Sequence, residues 1–158
     1  MPKVAIIGTT TWGTTLGIIL ARRGLRVKLW ARTDEEAEQL NCSRQHARSL
    51  PGITFPVRLS ATSSPAEALE DADMAILAAP AQTVRQNVRK IREHIGPSTL
   101  LVNVAKGLEV GQGLRLSQVI AEEVPSFLRP NVCVLSGPDL AKEVVQGLPA
   151  AAVVAAED

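Results

Sequence analysis

The chain has 158 residues, a length that suits one domain with a core of its own. Seventeen lysines and arginines face sixteen acidic residues, for a net charge of +1, and only 3% of the chain is aromatic. Nucleic-acid binding, which calls for a basic excess or aromatic stacking platforms, is not expected. No run of about 18 apolar residues offers a membrane span. The two cysteines, Cys42 and Cys133, lack C-x-x-C spacing, so no metal or redox site is expected; they read as reduced thiols in a cytoplasmic protein.

The first run, Val4–Ile7, is apolar and closed by Gly8, the pattern of a buried parallel strand. It is too short for the apolar core of a signal peptide. A helix follows from Trp12 to Arg23, with Leu16, Ile19 and Leu20 on one face and Gly24 to stop it. Val27–Trp30 is the next strand. Residues 33–48 read as a polar helix, and Leu50-Pro51-Gly52 and Phe55-Pro56 punctuate a loop. Ser64 caps a short helix that has Pro65 in its first turn. Met74–Ala79 is a strand ending at Pro80. Over 81–95, Val84, Val88, Ile91 and Ile95 recur at helical spacing, beside a basic stripe of Arg85, Arg89 and Arg92 that reads as solvated surface without a function. Leu100–Val104 is a strand, Leu116, Val119 and Ile120 mark a helix, and Val132–Leu135 is a strand with Cys133 in the core. Pro138–Val145 reads as a helix and Ala150–Ala156 as a last strand. Strands alternating with helices imply parallel pairing through right-handed crossovers. The expected fold is a Rossmann-type, doubly wound α/β sheet, mainly parallel with helices on both faces, forming one dinucleotide-binding domain over residues 1–158.

The junction of the first strand and helix carries the chemistry. Gly8-Thr9-Thr10-Thr11-Trp12-Gly13 lies where a G-x-G-x-x-G fingerprint belongs. Gly8 and Gly13 take its first and third positions, for the tight turn and the close helix–strand packing. Thr10 stands at the second, where its side chain either crowds a passing pyrophosphate or supplies a hydroxyl in place of a bridging water. The helix N-terminus offers free N–H groups and a positive dipole end to phosphate. The second strand ends at Arg32, about 20 residues after Gly13. An arginine there suits the 2′-phosphate of NADP, so NADP is favoured, while Asp34 keeps NAD open. Lys106 follows a strand and precedes Gly107, which places it at the carboxyl edge of the sheet where ligands bind. His46 and His94, the two histidines, are not expected to be catalysts.

The ordered set Gly8-x-x-x-Trp12-Gly13-Thr14-Thr15-Leu16, Leu29-Trp30-Ala31-Arg32, Ala47-Arg48-Ser49-Leu50-Pro51-Gly52, Ala105-Lys106-Gly107-Leu108-Glu109 and Leu135-Ser136-Gly137-Pro138 resembles the N-terminal domain of NAD(P)-dependent glycerol-3-phosphate dehydrogenases. That family interconverts sn-glycerol 3-phosphate and dihydroxyacetone phosphate, a step of glycerol phosphate metabolism and phospholipid biosynthesis. The resemblance implies that Thr11, Trp12, Arg32, Lys106 and Ala141 contact the cofactor, beside the Gly8, Thr10 and Gly13 turn. It implies that Lys106, Gly137 and Asp139 contact the small phosphorylated substrate, and that the subunits pair as a homodimer. Three positions depart from the family: Thr10 replaces a glycine, Asp139 a small hydroxyl residue, and Ser49 a position often aromatic. A carboxylate at 139 repels a phosphorylated substrate unless protonated or turned away; it also suits the N-terminus of a helix. The family's catalytic lysine lies in a helical second domain, so no catalytic residue is expected in this chain, and the isolated domain is expected to be inactive. A stand-alone dinucleotide-binding module, and a related dehydrogenase with another substrate, are the alternatives.

Overall fold

A computed structural model describes residues 1–156. Seven strands form one sheet: β1 (Lys3–Ile7), β2 (Arg26–Trp30), β3 (Leu59–Thr62), β4 (Met74–Leu77), β5 (Leu100–Asn103), β6 (Val132–Ser136) and β7 (Val153–Ala156), in the order β3-β2-β1-β4-β5-β6-β7. The pairs from β3 to β6 are parallel. The order reverses direction between β1 and β4, the place where doubly wound sheets open a crevice at their carboxyl ends. The fold is the one expected.

Alternation along the strands sends side chains to two separate cores. Val4 and Ile6 of β1, with Ile76 of β4 and Val102 of β5, join one cluster with Ile18 of α1 (Thr11–Arg22) and Leu40 of α2 (Asp34–Ser43). Ala5, Ile7, Leu77 and Leu101 point the other way, against Leu69 of α3 (Pro65–Leu69), Val84, Val88 and Ile91 of α4 (Val84–Ile91), and Val119 and Ile120 of α5 (Leu116–Glu123). Both faces are covered, as a mainly parallel sheet requires.

Four expectations need correction. The sequence pattern assigns no element between Pro56 and Ser64, yet β3 lies there, a four-residue edge strand carrying one large apolar side chain, Leu59. The polar helix ends at Ser43 rather than residue 48, because Arg44 turns left-handed at φ 53°. Its guanidinium donates to the Leu59, Phe55 and Pro56 carbonyl oxygens and fixes the turn. The helix expected over 138–145 shrinks to α6 (Ala141–Val144), and β7 begins at Val153 and runs antiparallel to β6. Without a long crossover helix, the segment between them folds back onto α1 and returns along the same edge.

The fourth correction concerns the basic stripe. Arg85 is largely covered: it pairs with Glu109 at 2.7 Å, Glu122 at 2.8 Å and Glu123 at 2.6 Å, and Arg89 joins it on Glu123 at 2.8 Å. This network ties the loop after β5 to α4 and α5. Arg89, which donates to both Glu123 oxygens, and Arg85 beside it hold the Glu123 carboxyl down to about 2. Arg85 likewise lowers Glu109. A carboxyl depressed in the folded state stabilises above its ordinary value near 4.3 and loses that contribution as pH falls toward the folded value. The melting temperature should therefore fall as pH drops from about 4.5 toward 2, and fall less steeply in Glu123→Gln; identical profiles for the two proteins would remove the network from acid stability.

Candidate functional site

The crevice between β1 and β4 is shaped by one crowded contact. Gly8 sits at φ 111°, and a Cβ there would stand 3.0 Å from the Ala78 carbonyl oxygen. A Cβ on Gly13 would stand 2.8 Å from the Ala78 Cβ. Both fingerprint glycines are thus required by the approach of α1 to the end of β4. Thr10 completes the contact. Its hydroxyl donates to the Ala78 carbonyl oxygen at 2.7 Å and accepts from the Gly13 amide at 3.1 Å, capping α1. The hydroxyl is therefore engaged by the protein on both sides. The amides of Thr11 and Trp12, in the first turn, have no acceptor within the helix.

From this turn a cleft of about 300 Å³ opens along the carboxyl ends of β4 and β5. Thr10 and Trp12 form one wall, Ala78, Ala79 and Pro80 the floor, and Ala105, Lys106, Asp139 and Ala141 the far side. Lys106 reaches across to the end of β6, its ammonium donating to the Gly137 carbonyl oxygen at 2.6 Å. An ammonium has three donors, so two remain. Gly137 is fixed by sterics: a Cβ would overlap the Ala151 carbonyl oxygen and come within 3.0 Å of Asp139 Oδ2. Asp139 Oδ2 is buried and has no hydrogen-bond partner among the described residues. α1 holds the segment after Gly137 in place, through Thr15 to the Ala141 carbonyl oxygen at 3.3 Å and Arg22 to that of Val145 at 2.8 Å.

The loop that carries Lys106 is itself clamped. Gln82 donates to the Leu108 carbonyl oxygen and accepts from the Val110 amide, both at 2.9 Å, while Arg85 grips Glu109 with two nitrogens.

Arg32 stands outside the cleft, at the end of β2, with its side chain 88% exposed. Its neighbour Glu36 accepts from the Arg32 amide at 3.0 Å and from the Thr9 hydroxyl at 2.5 Å, which joins the end of β2 to the glycine turn. Although partial burial opposes it, those bonds and the Arg32 charge lower the Glu36 carboxyl. His46 Nε2 lies 3.0 Å from the Thr9 carbonyl oxygen, on the outer side of the same turn.

The fold and this geometry can be set beside known proteins. The family model for the NAD-dependent glycerol-3-phosphate dehydrogenase N-terminus matches residues 3–158. The chain belongs to that family. It is 49% identical over 158 residues to the glycerol-3-phosphate dehydrogenase [NAD(P)+] of Dehalococcoides mccartyi, covering 99% of this chain and 44% of that protein. It is 45% identical to the enzyme of the same name from Corynebacterium urealyticum, covering 100% of this chain and 47% of that protein. The crystal structure of the Coxiella burnetii glycerol-3-phosphate dehydrogenase superposes with a TM-score of 0.89 at 30% identity, over 99% of this chain and 47% of the other. The chain therefore spans a little under half the length of these family members.

Of the residues singled out in the sequence, Thr10, Trp12, Lys106, Asp139 and Ala141 line the cleft. Gly8, Thr11 and Gly13 build the turn behind it, and Gly137 receives Lys106. Arg32 is apart from these. The β4 floor, Gln82 and Glu36 were missed. Glu36 had a signal: Thr33-x-x-Glu36 has capping-box spacing, and Thr33 does accept from the Glu36 amide. The carboxylate, however, reaches the amide of Arg32 rather than that of Thr33.

Gly137→Ala should cost about 1–3 kcal/mol of stability, the range for overpacking a filled site. Urea denaturation measures it; a loss below a few tenths of a kcal/mol would mean that the loop near Ala151 yields freely.

Proposed function

We propose that residues 1–158 act as one dinucleotide-binding domain, the cofactor half of an enzyme that interconverts sn-glycerol 3-phosphate and dihydroxyacetone phosphate with NADP(H) or NAD(H). The observation that carries this reading is the cleft itself. It lies at the switch point of the sheet, with the first turn of α1 on one side and Lys106 on the other. Family membership supports the same assignment.

The residues fit a dinucleotide. Gly8 and Gly13 let the backbone turn closely, and the free first-turn amides of Thr11 and Trp12 suit a pyrophosphate. Thr10 supports that turn by capping it. The indole of Trp12, with Ala78, Ala79 and Ala141, gives the cleft an apolar lining for the nicotinamide half. Arg32, exposed at the end of β2, suits the 2′-phosphate and tilts the preference toward NADP. When bound, the cofactor would supply a hydride to the substrate's carbonyl carbon or accept one from its carbinol carbon. In the reducing direction negative charge would gather on the substrate oxygen, and the Lys106 ammonium, held by the Gly137 carbonyl oxygen, would stabilise it or the substrate phosphate. No side chain of this domain is assigned the proton transfer. The working protein is a homodimer of the cytoplasm in this reading.

Asp139 favours a second reading, a related dehydrogenase for another substrate. Its buried Oδ2 lacks a protein donor and would repel a phosphate placed against it.

Trp12 provides the test, because nicotinamide bound in the cleft would quench its fluorescence. NADPH and NADH should each quench it saturably. Arg32→Ala should weaken NADPH by about tenfold or more, the scale of a lost charge-assisted bond, and NADH by less. Equal losses would argue against 2′-phosphate reading. Residues 1–158 alone should reduce dihydroxyacetone phosphate at a negligible rate; robust turnover would place the proton-transfer group inside this domain.

A further inference from the structure

The site where an adenine ribose would lie holds two opposite charges. Arg32 projects into solvent from the end of β2 and, among the described residues, pairs only with Glu36, at 3.7 Å. Glu36 differs from an ordinary surface partner because its side chain is only 24% exposed and two groups hold its carboxylate, while Thr33 caps its backbone amide. Thr9 donates to Oε1 at 2.5 Å and the Arg32 amide to Oε2 at 3.0 Å, while the Thr33 hydroxyl accepts from its own amide at 3.2 Å. The carboxylate is thereby pinned between the glycine turn and the end of β2. An acidic group in that region accepts from the 2′-hydroxyl of NAD, and an arginine there takes the 2′-phosphate of NADP. This chain has both, four residues apart, Arg32 just before the Thr33 cap and Glu36 in the first turn of α2.

We infer that Glu36 is a specificity-determining residue that opposes Arg32, so that NADPH is held less tightly than Arg32 alone would hold it and NADH remains competitive. The inference rests on the reading of the cleft as a dinucleotide site. A carboxylate offers about four acceptor positions, and Thr9 and Arg32 use two. The remaining lone pairs face a hydroxyl favourably and a phosphate dianion unfavourably. Glu36 also draws the Arg32 guanidinium toward itself, in competition with a 2′-phosphate. Its lowered titration keeps it charged at neutral pH.

Glu36→Gln separates charge from shape. The amide oxygen can accept from Arg32 and the amide nitrogen can donate to the Thr9 hydroxyl, so the turn stays joined. Dissociation constants for NADPH and NADH, read by Trp12 quenching, should show NADPH tightening and NADH holding or weakening. The ratio Kd(NADPH)/Kd(NADH) should fall about three- to tenfold, and the fall should shrink as salt is raised. Thr9→Val, which frees Oε1 but keeps the charge, should leave the ratio within about twofold of wild type. A ratio unchanged by Glu36→Gln, or changed equally by Thr9→Val, overturns the inference alone. Failure of the wild-type chain to bind either nucleotide would overturn the reading of the cleft as well.

Discussion

Three residues converge on Ala78, at the end of β4: Gly8 against the Ala78 carbonyl oxygen, Gly13 against the Ala78 Cβ, and Thr10 through a 2.7 Å hydrogen bond to the Ala78 carbonyl oxygen. The approach is closer than a side chain on either glycine would allow. It sets how near the start of α1 comes to the sheet, and therefore how the first-turn amides face the crevice. Thr10 stands where the sequence allows its side chain either to crowd a passing pyrophosphate or to supply a hydroxyl in place of a bridging water. Its hydroxyl is instead turned into this contact, so the same residue that breaks the glycine fingerprint stabilises the turn the fingerprint exists to make. A cap of this kind contributes about 1 kcal/mol.

The far side of the cleft is built by a different kind of force. Polar clamps position Lys106. Gln82 holds the backbone after it, Arg85 holds Glu109, and the Gly137 carbonyl oxygen holds the ammonium. The two sides meet through α6, whose first carbonyl oxygen is taken by Thr15 of α1. Family membership explains why these elements occur in this order, and the contacts explain why the order makes a cleft.

Where a segment's own residues determine its shape, the sequence was readable. The apolar run of β1, the Gly8 turn and the period of α4 each state their structure locally. Where a distant partner decides, it was not. β3 exists because β2 pairs with it, and only Leu59 marks it as a strand. Arg44 turns left-handed because carbonyl groups up to 15 residues away accept from it. β7 reverses because its connection packs on α1. Arg85 looked like surface charge because its acids lie 24 to 38 residues further on. The site followed the same rule. The glycine turn and Lys106 were legible as local motifs, while Glu36 gained its place only when Thr9 was folded beside it.

Amide chemical shifts of the labelled chain, followed by NMR as NADPH is added, test the central claim most directly. The account predicts the largest shifts at Thr11, Trp12 and Gly13, with further shifts at Lys106 and Ala141. Shifts confined to other surfaces, or none at saturating nucleotide, would contradict a dinucleotide site built on the contact at Ala78.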